Sequence, residues 1–410
     1  MEDLHPWMPA LADDPYPWYA MLREHDPVHY SPSADAWFVS RYDDVLQVLR
    51  SPGEFSSSAT LTPRLSDTRD GDGPAGPAGF MRGMPDPSRF LLTADPPDHT
   101  KLRRMVSKPF TPSAIAELEP RVRALSEELV DGLIAASERG EADLVGHLGS
   151  PLPLLVISHM LGIDAEHQDA FREWSNTMTM GALGDAGRPT GGGHMFEMMG
   201  YLAETIETRR LAPQDDLISA LVTGAEPLSL QELLMFTVLL LIAGNETTTS
   251  LVGNTMLALW ANPDELAKLG SDPALAPMLV EEALRYDSPV QALARHTTAA
   301  VDVAGTSIPG DQRVYVLYAS ANRDSRHFED ADRFMIERAP GDHIAFGNGI
   351  HFCLGASLAR LEGRIAAETM LERVAAIRPA GEIVRKATPR HAGPALLRGV
   401  ARLPVTIEAR

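Results

Sequence analysis

One cysteine, Cys353, occurs in the whole sequence, and it stands in the stretch Phe346-Gly347-Asn-Gly-Ile-His351-Phe-Cys353-Leu-Gly355. A glycine-rich loop of this kind can aim backbone N–H groups at sulfur. The Ala-rich stretch from Ala356 to Met370 predicts a helix whose N-terminus adds partial positive charge nearby. Both effects favour thiolate, the metal-binding form. A lone cysteine is more often buried and inert, and on the residue alone that reading stands beside the first. A second cluster, Ala243-Gly244-Asn-Glu246-Thr247-Thr-Thr249, lies between the apolar runs Leu239–Ile242 and Leu251–Val252. Glycine and threonine weaken or bend a helix interior, and a buried Glu costs free energy unless it is paired. The flanks are apolar all round, which argues against a solvated surface helix. Glu282-Ala-Leu-Arg285 puts opposite charges three apart on one helix face, a spacing most often seen in weak surface pairs. In Asp95-Pro-Pro-Asp-His99-Thr-Lys-Leu-Arg103 a His and an Arg share one helix face four residues apart. Cations of that kind suit carboxylate partners, Arg in bidentate fashion.

The elements that carry these residues are mostly helices. Apolar residues at helical spacing (Ile115, Leu118, Val122, Leu125, Leu129, Leu133) predict a helix over Ser113–Gly140, and further helices are expected at Pro151–Leu161, Ala165–Met180 and Ala274–Tyr286. Ser229-Leu-Gln-Glu232 is a capping box that opens a long apolar helix reaching to Trp260. Val28–Tyr30 and Trp37–Val39 read as an edge hairpin, and alternation returns in Val301–Ile308, Arg313–Leu317 and Gly399–Ile407. Ser56–Pro87 is rich in Gly, Pro and Asp and reads as a long loop, a kind that is usually functional or disordered. Gly181–Gly193 is a glycine-rich break between helices. The class is mainly α with a minor β region, and the expected organisation is a single domain over 1–410.

Charge narrows the partners. With 36 basic against 56 acidic residues the net charge is −20, which argues against nucleic acid or an anionic membrane. The apolar run Phe236–Ala243 is too short to span a bilayer, and Met1–Ala10 has no secretory pattern. One cysteine allows no internal disulfide, so the expected setting is the reducing cytoplasm.

The Cys353 segment resembles the haem-binding loop of the cytochrome P-450 family in the spacing Phe-x-x-Gly-x-His-x-Cys-x-Gly. The resemblance runs from about Pro15 to Pro404 and is closest to the bacterial soluble branch in Asp95–Arg104 and Ala319–Asp324. It implies the family's triangular, mostly helical prism, with haem b between the Thr247 helix and the cysteine loop. It further implies Cys353 as iron ligand, with Phe346, Gly347 and Gly355 shaping the loop. His99, Arg103, Arg295 and His351 would hold the haem propionates. Glu246 and Thr247 would feed protons to bound dioxygen, with Gly244 at a kink, and Glu282, Arg285 and Arg338 would lock the core. The implied reaction inserts one oxygen atom of dioxygen into a hydrophobic organic substrate (terpenoid, steroid or polyketide-like). Leu239, Ile242, Ala243, Val290, Leu293 and Leu396 are candidates for the pocket wall and equally plausible as plain core. No flavin or nicotinamide segment is seen, so electrons would come from a ferredoxin or similar donor. Its expected docking residues are Lys101, Arg104, Lys108, Arg360 and Arg364, against a plain alternative of scattered solvated charge. Ser56–Phe90 and Gly181–Met199, where the resemblance is weakest, would cover the substrate. Two rivals stay open: a relative that couples or desaturates, and a haem-based binder or sensor without turnover.

Overall fold

The computed structural model describes residues 5, 6, 8, 11, 13–58, 90–171, 173, 174, 191–224, 227–338, 340–386 and 395–410. The chain divides into two compact units. The first comprises Met1–Thr100, Glu281–Cys353 and Arg385–Arg398; the second comprises Lys101–Val280, Leu354–Val384 and Gly399–Arg410. The expected loop beyond Ser58, and the glycine-rich break before Gly191, lie outside the described residues.

A mixed sheet organises the first unit. Its strands are β1 (Val28–Ser31), β2 (Ala36–Val39), β3 (Phe55–Ser56), β4 (Val290–Thr297), β5 (Arg313–Val316) and β6 (Ala395–Leu397). They pair in the order β1-β2-β5-β4-β6, with β3 also on β4. The predicted hairpin is present, with Val28 opposite Val39 and Ser31 opposite Ala36. Of its two strands only β1 is an edge, however, because β2 runs parallel to β5. Alternate residues of these strands face two different cores. Ala36, Phe38, Ala292, Ala294 and Tyr315 pack with Trp18, Tyr19 and Leu22 of the helix Tyr16–His25. On the other face Val39, Val314 and Val316 pack with Val45, Val48 and Leu49 of the helix Tyr42–Arg50. The small side chains of Ala292 and Ala294 leave room for the ring stack of Phe38 on Tyr315, 5.4 Å between centroids.

Helices make up most of the second unit: α1 (Glu119–Glu138), α2 (Pro151–Met160), α3 (Gly191–Leu211), α4 (Leu230–Ala261) and α5 (Ala356–Arg373). The helix expected over Ser113–Gly140 is two helices, Pro112–Ala116 and then α1, with Pro120 in the first turn of the second. Proline cannot donate to a preceding turn but fits a helix start. The capping box of α4 forms as predicted: Ser229 Oγ accepts the N–H of Glu232 at 3.2 Å, and the Glu232 carboxylate accepts the N–H of Ser229 at 2.9 Å. From there α4 runs 32 residues and packs on α2, α5 and the turn Val145–Gly149. By length and composition α4 is able to cross a membrane, contrary to the expectation from its shorter apolar run. Half of its most apolar window is instead buried inside the protein. The late alternation at Gly399–Ile407 resolves into two strands, Val400–Arg402 and Val405–Ala409, the latter paired with Val374–Pro379.

Candidate functional site

The cysteine loop is closed by its own backbone. Cys353 N–H donates to the Phe346 carbonyl at 2.9 Å, and Gly347 N–H donates to that of Ile344 at 2.9 Å. Gly347 and Gly349 take φ of +71° and +69°, in the left-handed region that glycine enters freely. At Gly349 the demand is double, since a Cβ there would lie 2.4 Å from the Leu49 carbonyl oxygen. The Asn348 side-chain oxygen accepts the Gly349 N–H at 2.9 Å and Arg50 Nε at 3.0 Å, which fixes the short turn Gly349–His351. Cys353 is half-buried. Its own N–H closes the loop. Gly355 caps α5, whose first-turn N–H groups have no carbonyl partner within the helix and carry the positive end of its dipole.

In the same unit the rings of His351 and His99 stand 4.2 Å apart, centroid to centroid, and His99 is buried. Arg295, on β4, is also buried. Its Nη1 donates to the Ala294 carbonyl at 2.8 Å, and its side chain bonds Tyr318, whose hydroxyl pKa is raised by burial against the opposing pull of Arg295. Arg103 follows His99 by one turn on the helix Asp98–Val106 and is half-buried.

Glu282 and Arg285 form a fully buried bidentate pair, with both N···O distances 2.8 Å. Arg285 also donates to the carbonyls of Asn322 (2.9 Å), Ala331 (2.7 Å) and Arg333 (2.9 Å). Glu282 Oε1 accepts the N–H of Met335 at 2.8 Å and Nε of Arg338 at 3.3 Å. The three residues therefore join, as the sequence suggested. A buried pair in this setting secures one arrangement of chain more than it adds net stability.

In the second unit α4 presents the polar cluster. Thr247 Oγ1 donates to the Ala243 carbonyl at 2.7 Å, and Thr249 Oγ1 donates to the carbonyls of Asn245 (2.8 Å) and Gly149 (3.1 Å). Leu239, Ala243 and Thr247, four residues apart, stack on one face of the helix. Unlike Leu233, Val238 and Leu241, they and Ile242 are not buried. The helix runs continuously through Gly244, where a Cβ would stand 2.9 Å from Cδ1 of Ile157 on α2. The remaining pocket candidates lie in the first unit. Val290 and Leu293 pack partly buried against its core, and Leu396 pairs through its backbone with Ala292.

Sequence reasoning missed Glu362. This α5 residue is buried, and its carboxyl bonds Thr248 of α4. Burial pushes its pKa up to about 8, with the Thr248 bond pulling the other way. The signal was present: Glu362 occupies an apolar stripe with Leu358, Leu361 and Ile365. The expected docking residues differ in their surroundings. Lys101, Arg104 and Lys108 are exposed and Arg360 is half-buried. Arg364, though, is held by Glu119 at 2.6 Å and by Glu368 at 2.9 Å, so it offers little free positive charge.

These groups fit haem b on chemical grounds. The first unit offers one thiolate-capable side chain in a loop closed upon itself, together with a buried Arg and a buried His suited to carboxylates. Comparison with known proteins agrees. The family model for cytochrome P-450 matches residues 274–387. Cytochrome P-450 107B1 of Saccharopolyspora erythraea is 40% identical over 98% of this chain and 97% of its own. The vitamin D(3) 25-hydroxylase of Pseudonocardia autotrophica is 38% identical over 97% and 94%. Among solved structures, CYP109Q5 from Chondromyces apiculatus superposes with a TM-score of 0.84 at 36% identity, covering 98% of both chains. The chain belongs to the cytochrome P-450 family. It is a haem-thiolate monooxygenase that acts on a hydrophobic substrate with dioxygen and is reduced through a redox partner.

Proposed function

We propose that Cys353 is the axial thiolate of this monooxygenase, and that the whole of 1–410 works as one catalytic domain in the cytoplasm. The observation that carries the assignment is the loop itself: the sole cysteine lies in a turn closed by its own N–H and held by two glycines at positive φ. Haem held by a thiolate supplies the electron push that favours O–O cleavage. His99, Arg103, Arg295 and His351 hold the propionates. Glu246 and Thr247 hold and pass protons on α4, where the Thr247 hydroxyl already rests on the Ala243 carbonyl. The unburied apolar stripe of Leu239, Ile242 and Ala243 supports a bulky apolar substrate. So do the relatives, among them CYP109E1 from Bacillus megaterium, solved with testosterone (33% identical, TM-score 0.81, covering 96% of this chain and 99% of that one). A small acidic ferredoxin docks on Lys101, Arg104, Lys108 and Arg360.

The reduced protein with carbon monoxide should show the red-shifted Soret band of thiolate ligation, and Cys353→His should abolish it. An unchanged spectrum in that variant would sink the assignment. A screen of steroids, terpenoids and macrolide-type polyketides for a low- to high-spin Soret shift, followed by product identification, then names the substrate and separates oxygen insertion from coupling or desaturation.

A further inference from the structure

We infer that Glu281 and His343 form a positioning pair that sets the geometry of the Cys353 loop, an inference that rests on Cys353 as the ligand. Glu281 precedes the buried Glu282 on the helix Ala276–Tyr286. Its carboxylate lies 3.1 Å from Nε2 of His343, whose side chain is 1% exposed. The other ring nitrogen, Nδ1, accepts the N–H of Ala345 at 3.2 Å. An imidazole nitrogen that accepts carries no proton, so the proton sits on Nε2 and is donated to Glu281. Glu281 thereby selects the only neutral tautomer able to hold Ala345. One residue further on, the Phe346 carbonyl receives the Cys353 N–H at 2.9 Å, and the Phe346 ring lies 5.7 Å from that of His343. Ile344, between them, is fixed by its own N–H to Asn322 Oδ1 at 2.7 Å. The backbone that accepts from the cysteine is thus anchored, through two side chains, to a rigid helix. Groups behind a ligand orient it and tune its donor strength. Loss of this anchor weakens thiolate donation and makes the iron easier to reduce.

The test uses haem-loaded protein and two readouts: the ferric/ferrous ratio at a fixed poise and the Soret band of the reduced carbon monoxide form. Wild type must show the thiolate band; if it does not, the Cys353 assignment fails before the pair is tested. Glu281→Met removes the acceptor and should move the ratio three- to tenfold toward ferrous, tenfold being about 59 mV for a one-electron couple. It should also let part of the thiolate band decay. Glu281→Gln keeps an acceptor oxygen and should restore both readouts. If Glu281→Met holds no haem, His343→Asn and His343→Gln read the same bond. Asn can accept the Ala345 N–H as in an Asx turn but no longer reaches Glu281, so it should shift the ratio less than Gln, which keeps neither contact. A pair that merely supports the fold would change stability alone. Wild-type readouts in Glu281→Met, equal shifts in its Met and Gln variants, or equal values for His343→Asn and His343→Gln overturn the inference.

Discussion

Thr247 and Glu362 show how differently two polar side chains can be used within one helical layer. Thr247 is half-buried and tethered only to its own helix, which leaves it able to turn toward a reacting group. Thr247→Ala should preserve haem content and the spin shift with substrate, yet lower product formed per reductant consumed by roughly tenfold or more, with hydrogen peroxide released instead. Wild-type coupling in both Thr247→Ala and Glu246→Gln would refute the proton role. Glu362 is buried, and its pKa lies near 8 against about 4.3 in an unfolded chain. Over that interval the folded protein holds a proton that the unfolded chain has released. Stability therefore falls as pH rises from about 4.3 to about 8 and levels off above. Glu362→Gln should remove this slope and leave the protein more stable than wild type at pH 8 by on the order of 5 kcal/mol, with little difference near pH 4.5. Denaturant midpoints at both pH values decide; parallel wild-type and variant curves would mean that the carboxyl is ionised in the fold.

Among the elements, the cysteine turn is the least tolerant of change. Gly349→Ala would place a methyl group against the Leu49 carbonyl in a backbone conformation that side chains avoid. A loss of about 2–4 kcal/mol, with faster haem release, is expected; unchanged thermal unfolding of the haem-loaded variant would contradict the geometry. Such elements were legible where chemistry is local. Ser229 and Glu232 announced the start of α4, and the spacing from Phe346 to Gly355 announced the loop. The same local logic, applied to Pro120, would have placed the break before α1. The run Asn245–Ser250 looked hostile to a helix but sits within one, its Thr247 and Thr249 hydroxyls satisfied by carbonyls four residues back. Illegible were features that need a distant partner. Nothing in Trp37–Val39 names β5 as its parallel neighbour. Glu281 and His343 are ordinary residues until the fold sets them 3.1 Å apart.

For the molecule as a whole, charge governs traffic. A chain at −20 would repel the proposed acidic electron carrier except where its cations gather. Arg104→Glu or Lys108→Glu should slow reduction by a ferredoxin roughly three- to tenfold at low salt, with the rates converging as ionic strength rises and substrate affinity unchanged. Arg364→Gln should matter least, since Glu119 and Glu368 already neutralise that guanidinium. Stopped-flow reduction across a salt series reads all three. Wild-type rates and salt dependence in both charge reversals would place the docking face elsewhere.

The mixed sheet also dictates when this enzyme can come into being. Its order β1-β2-β5-β4-β6 joins strands from the beginning, the later middle and the far end of the chain. While the ribosome is still extending α4, the β1-β2 hairpin has the helices Tyr16–His25 and Tyr42–Arg50 to pack on but no parallel neighbour to lie against, so the inner edge of β2 stays unpaired. Closing so long a loop is a slow, entropically opposed step. Such unpaired strands are the surfaces through which nascent chains aggregate. The cysteine loop, anchored to Leu49 and Arg50 just past that hairpin, cannot take its shape until Cys353 itself has been made. Capture of haem by this loop therefore waits for a stretch of chain far behind the hairpin that anchors it.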